Sequence, residues 1–187
     1  FKAGKRTLNV HEFRLEPNEI LLIDSLHGLY DDMTASVPAE KKFKLYVETL
    51  GQFRTAEGPF MRWADNRLLR RMIRDANYRN SKPIQTLTHW HYVRKSELKN
   101  IIPFLKHADW IVNTALPYEL PVLKRHLFHY IADALETYRD DPKRLDAYIR
   151  VNRVHDLLKP LTAVTDESAI PDTSLLREFI GGSRYTY

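Results

Sequence analysis

Short apolar runs alternate with long helical segments along this chain, and that alternation limits its fold more than any other feature. The apolar runs are residues 20–23, 42–50 and 108–116. The helical segments, which place apolar side chains at helical spacing, are residues 59–80, 84–101 and 118–138. Strands that alternate with helices form parallel βαβ units, whose active sites lie at the carboxyl ends of the strands. The pattern predicts a single α/β domain over residues 1–187 with a parallel sheet.

The segment NRLLRRMIRD, residues 66–75, carries four arginines on one side of a predicted helix. At roughly 100° per residue, Arg67, Arg70, Arg71 and Arg74 fall within an arc of about 100°, and apolar residues occupy the opposite side. Guanidinium groups stay charged near neutral pH and suit phosphate or carboxylate oxygens. The charged side binds an anion or faces water, and the spacing alone leaves both open.

Asp24 follows the apolar run Ile20–Ile23, as a residue does at the end of a buried strand. A carboxylate in that place can hold Mg²⁺, which prefers oxygen ligands and often needs only one or two carboxylates. An Asp at this point is also an ordinary strand terminator. The nearest approach to a phosphate-binding loop is AGKR, residues 3–6, which lacks the earlier glycine and the hydroxyl of that motif.

The composition limits the kinds of metal site, disulfide and binding partner that the chain can have. The formal net charge is +5 and the chain has no cysteine, which excludes disulfides, a thiol nucleophile and cysteine-ligated metals. Trp63, Trp90 and Tyr92 lie among apolar residues at helical spacing, which favours core packing over a nucleic-acid groove. No apolar run reaches the roughly 18 residues of a membrane span. We expect a cytoplasmic protein without a membrane or nucleic-acid partner, and a homo-oligomer stays open.

One group of segments is similar to a known family. Residues 65–80, DNRLLRRMIRDANYRN, resemble the lid of the uridine kinase and phosphoribulokinase-like family, a group of P-loop kinases with the pattern D-x-R-L-x-R-R-x-x-R-D-x-x-x-R-G. LLIDSLHGLY is similar to the family's strand ending in E-G-I-H-x-L. Residues 86–124 and 174–187 resemble a bacterial uridine kinase-like branch. The resemblance runs in order through essentially the whole chain.

The resemblance implies a P-loop nucleoside kinase-like, three-layer α/β fold with a lid at about 60–82. The family transfers the terminal phosphoryl group of ATP to a hydroxyl, in uridine kinases that of uridine or cytidine. Carried over by position, Arg70, Arg71 and Arg74 would face the ATP phosphates, with Arg71 in a catalytic role. Arg67 and Arg79 would lie nearer the acceptor.

The remaining carried-over roles concern the start of the chain. Asp24 replaces the family's Glu and would serve catalysis by holding Mg²⁺ through its water shell. His27 would frame the nucleoside, and the substrate-binding residues Phe1 and Arg6 would belong to a hairpin beside the acceptor.

The family's phosphate loop is missing from this sequence, which opens with Phe and not with Met. We therefore expect a longer parent chain, of which this is the portion after the loop. Two functions stay open. One is an ATP-dependent kinase, and the other is a non-catalytic nucleotide- or polyphosphate-binding module that retains the lid without the loop.

Overall fold

The sheet of this chain is a pair of parallel strands. The computed structural model describes residues 14–54, 56, 58–79 and 81–186. Strand β1 is Leu45–Glu48 and strand β2 is Trp110–Asn113, with Leu45 opposite Trp110 and Glu48 opposite Asn113. Both strands fall inside predicted apolar runs, and the predicted mixed α/β class with a parallel strand pair is confirmed.

Helices make up most of the regular structure. Those of the described residues are α1 (Trp63–Tyr78), α2 (Pro83–Asn100), α3 (Glu119–Tyr138), α4 (Leu145–Leu158) and α5 (Arg177–Ile180). Helices α1 and α3 lie within predicted helical segments, and α2 matches the predicted segment 84–101 except that it begins and ends one residue earlier. Helix α2 begins at a proline, whose missing N–H costs nothing in a first turn. None of the helices that the structure describes is both long and apolar enough to cross a membrane.

Helix α1 lies in the middle of the hydrophobic core, against α2, α3 and α5. Its apolar side is fully buried through Leu68, Leu69, Met72 and Ile73. Fully burying a side chain of this size contributes about 1.5–3 kcal/mol. The predicted apolar side of the arginine segment is therefore confirmed, and the helix is anchored along its length. The facing core residues from α3 and α4 are Leu123, Leu127, Ile131, Val151, Val154 and Leu158.

Residues 20–23 form no strand, so the prediction of a buried strand ending at Asp24 is wrong. The chain there is irregular, and Ile20 and Leu22 are 92% and 85% exposed. A continuous apolar run becomes a central strand only when neighbouring strands and helices cover it. Within the described residues the sheet is limited to β1 and β2, and this run stays outside it.

One face of the sheet is apolar and open. Leu45 and Val47 point to the same side of β1, and Trp110 lies opposite Leu45 on β2. All three side chains are exposed. Parallel sheets are ordinarily covered on both faces, so the helices of the described chain bury only part of the surface that such a sheet presents.

Candidate functional site

Two arginines on the charged side of α1, Arg67 and Arg70, pair with carboxylates from distant parts of the chain. Arg70 is buried and donates from Nε to the carboxylate of Glu119 and from Nη2 to Oε2 of the same residue at 2.9 Å. Its guanidinium also donates to the carbonyl of Thr114 at 2.7 Å and to the hydroxyl of Thr114 at 3.2 Å. All three nitrogens are engaged, so Arg70 joins α1 to the start of α3.

Arg67 is also engaged, at the carboxyl end of β1. Its Nη1 donates to Oε2 of Glu48 at 2.5 Å, and its Nη2 donates to the carboxylate of Glu97 on α2. The guanidinium lies over the rings of Trp63 and Trp90, at 5.5 and 5.6 Å from their centroids. Both terminal nitrogens are therefore bound before any ligand arrives.

The carboxyl ends of the two strands carry a buried polar network that sequence reasoning missed. Burial raises the pKa of Glu48, and the positive charge of Arg67 partly opposes that shift. Burial also raises the pKa of Tyr46, which donates to Glu48, to about 12. Asn66 donates to the hydroxyl of Thr49 at 2.6 Å and to Glu119 at 3.1 Å.

Two buried acceptors in this network have no hydrogen-bond partner among the described residues, namely Oδ1 of Asn66 and Oε1 of Glu97. One sequence feature does indicate this network: Glu48 ends a predicted strand, and the functional polar residues of α/β proteins lie at the carboxyl ends of strands. Glu97 and Glu119 lie in residues 86–124, which resemble a bacterial uridine kinase-like branch, but periodicity and charge do not distinguish them from the other glutamates.

Three arginines at the end of α1 form the candidate site, and we call Arg71, Arg74 and Arg79 the terminal arginine cluster. Their side chains are 37%, 32% and 52% exposed. Arg71 and Arg79 share the carboxylate of Asp75, at 3.3 and 3.5 Å. Arg74 lies 3.9 Å from Glu178 of α5, and its buried Nε donates to no described acceptor.

The electrostatics of the cluster favour an anion. The pKa of Arg74 is lowered, first by burial and then by the positive charge of Arg79, with a smaller contribution from Arg71. Three guanidinium groups face two carboxylates, those of Asp75 and Glu178, which leaves one positive charge without a counterion among the described residues. An anion with several oxygens would relieve that repulsion by accepting from guanidinium N–H groups of the cluster.

No family model, curated protein or solved structure matches this chain. The resemblance to the uridine kinase-like family therefore stays a prediction.

The other predicted site residues lie apart from the described network. Asp24 is exposed, follows no strand and makes no hydrogen bond or ion pair with a described residue. His27 lies in a tight turn, where its carbonyl accepts from the N–H of Tyr30 at 2.9 Å. Phe1 and Arg6 lie outside the described residues.

Among the described residues, none beside Asp24 completes a set of protein ligands for Mg²⁺. That Asp24 holds the ion through its water shell stays a prediction. In the part of the chain that the structure describes, no three His, Asp or Glu side chains gather in a way that could hold a metal ion. Asp24 offers a single carboxylate, with no described side chain fixing its orientation. We therefore assign no chemical step to a metal at this position.

Proposed function

We propose that this chain binds the phosphate groups of ATP on the terminal arginine cluster, as part of phosphoryl transfer to a hydroxyl of a nucleoside or a related small molecule. The fold proposed for it is that of a P-loop nucleoside kinase. The observation that carries the proposal is Arg74, a half-buried guanidinium whose Nε has no acceptor among the described residues and whose charge lies near those of Arg71 and Arg79.

The chemistry of phosphoryl transfer explains why such a cluster is useful. Negative charge is spread over the oxygens of the moving group, and catalysis consists mainly of positioning and electrostatic stabilisation. Guanidinium groups supply both, because their planar donors match phosphate oxygens in pairs. Nε of Arg71 donates to Asp75. The two terminal nitrogens of Arg71 make no hydrogen bond to a described residue.

The structure narrows the set of arginines proposed to meet the nucleotide. Arg70 uses all three nitrogens on Glu119 and Thr114, and Arg67 is bound between two carboxylates. Releasing either would leave a buried carboxylate without its counterion. We therefore propose Arg71, Arg74 and Arg79 as the phosphate ligands, and Arg67 and Arg70 as the residues that hold α1 in place.

A second candidate function is a non-catalytic module that binds nucleotide or polyphosphate. The observation that favours it is the exposed and unsupported carboxylate of Asp24, which the kinase interpretation needs for catalysis. The terminal arginine cluster would bind phosphate in both functions, so only a measurement of product formation distinguishes them.

Calorimetric titration with ATP tests the binding site. Replacing Arg74 with Ala removes contacts between charged groups, each of which contributes about 1.5–3 kcal/mol, so we expect the Kd to rise roughly tenfold or more. Arg71→Ala and Arg79→Ala should weaken binding in the same direction. Arg62→Ala is the matched control, because Arg62 precedes the same helix at its other end and makes no described ion pair. An equal effect of Arg62→Ala and Arg74→Ala would refute the site.

Product analysis then separates the two functions. The full-length protein is incubated with ATP, Mg²⁺ and either uridine or cytidine, and the nucleoside monophosphate is quantified by chromatography. The kinase interpretation predicts a product whose rate of formation falls in Arg71→Ala, while the unfolding midpoint of that variant is unchanged. ATP binding without any product would support the non-catalytic module instead.

A further inference from the structure

Helix α5 brings a carboxylate to the terminal arginine cluster and is itself firmly attached. Phe179 is buried in the core, and its carbonyl accepts from the side-chain amide of Asn77 at 2.9 Å. The ring of Phe179 also lies 5.4 Å below the guanidinium of Arg70. The backbone of α5 is thus held against α1, while the side chain of Glu178 is partly exposed.

The contact between Glu178 and Arg74 is loose. The Oε1 to Nη1 distance is 3.9 Å, and no hydrogen bond joins the two groups. Glu178 is the one carboxylate among the described residues that pairs with Arg74, and its side chain is 26% exposed. An ion pair of this kind contributes little to stability, so exchanging it for another anion costs little.

We propose that Glu178 is an internal competitor, which occupies Arg74 in the free protein and is displaced when a phosphate-bearing ligand binds. The inference rests on the proposed phosphate-binding role of the cluster. A phosphate chain carries more charge and more acceptor oxygens than one carboxylate, so it wins the exchange. The displacement needs only a side-chain rotation, because Phe179 and Asn77 keep α5 in place.

The competition has a specific consequence for affinity. Without Glu178, the three arginines of the cluster share only the carboxylate of Asp75. The unbound state then loses a counterion, whereas the bound state loses nothing, because in it the ligand has already replaced Glu178. Removing the charge of Glu178 must therefore tighten the binding of an anion.

Calorimetric titration with inorganic tripolyphosphate at low ionic strength tests this inference. We expect Glu178→Gln to lower the Kd roughly 2- to 5-fold, the upper part of the range that one weak ion pair supplies. Glu136→Gln is the control for overall charge, because Glu136 is an exposed residue of α3 that makes no described side-chain contact. Its Kd should stay within about twofold of the unmodified chain.

A double variant separates this inference from the function on which it rests. In Arg74→Ala, the further change Glu178→Gln should no longer tighten binding. If Arg74→Ala weakens binding but Glu178→Gln behaves like Glu136→Gln, the competitor is refuted and the phosphate site stands. If tripolyphosphate does not bind, or binds equally well to Arg74→Ala, both proposals are refuted.

Discussion

Replacing Arg70 with Ala should destabilise the protein far more than replacing its neighbour Arg71. Glu119 is completely buried. Without Arg70, the donors that its carboxylate keeps among the described residues are the amide of Asn66 at 3.1 Å and the backbone N–H of Leu116 at 3.2 Å. Breaking a buried ion pair by removing one partner costs about 3–5 kcal/mol. Arg71 is partly exposed, and after its removal Asp75 keeps the hydroxyl of Thr86 and the guanidinium of Arg79, so we expect a loss of less than about 0.5 kcal/mol.

Urea unfolding followed by circular dichroism measures the difference. At a slope of about 2 kcal/mol per molar urea, a loss of about 3–5 kcal/mol lowers the midpoint by roughly 1.5–2.5 M. The double variant Arg70→Met/Glu119→Leu should recover much of that loss, because it leaves no unpaired charge in the core. If Arg70→Ala and Arg71→Ala have the same midpoint, Arg70 is not a buried structural cation, and its place among the phosphate ligands has to be restored.

Three further predictions use the same unfolding assay. Because burial raises the pKa of Glu48, the folded state holds its proton more tightly. The stability that Glu48 contributes is therefore complete below its ordinary pKa and falls as the pH rises through the raised value. The free energy of unfolding of the unmodified chain, measured relative to that of Glu48→Gln, should fall over that range, and a rise would contradict the raised pKa. Val47→Thr on the open sheet face should cost less than about 0.5 kcal/mol, whereas Val151→Thr in the core should cost about 1–3 kcal/mol; equal costs would mean that the sheet face is covered. Gly181→Ala should cost about 1–3 kcal/mol, since its φ of +94° and ψ of 170° suit glycine alone, and a cost near zero would contradict this backbone geometry.

The sequence predicts the elements whose periodicity is strong and whose burial is local. Helix α1 follows from the spacing of its apolar residues, and β1 and β2 follow from β-branched and aromatic runs. Helix α4 carries the same kind of signal in Ala147, Val151, Val154 and Leu158, yet it was not among the predicted segments. The strand prediction at residues 20–23 is wrong because an apolar pattern cannot show whether a neighbouring strand exists.

The sequence does not show which arginines of α1 are available to a ligand. Arg67, Arg70, Arg71 and Arg74 have the same chemistry and the same helical spacing, so the sequence treats them as one face. The partners that distinguish them are distant, since Glu119 lies 49 residues after Arg70 and Glu97 lies 30 residues after Arg67. Only the three-dimensional structure shows which guanidinium groups are already engaged.

Nuclear magnetic resonance of the arginine side chains tests the central claim most directly. The Nε–H signals of labelled arginines are assigned by substitution and followed while ATP is added. We predict that the signal of Arg74 shifts saturably, because its Nε donates to no described acceptor, and that the signal of Arg70 stays fixed, because its Nε donates to Glu119. A saturable shift of Arg70 with no change at Arg74, or no shift at any arginine of α1, would contradict the account.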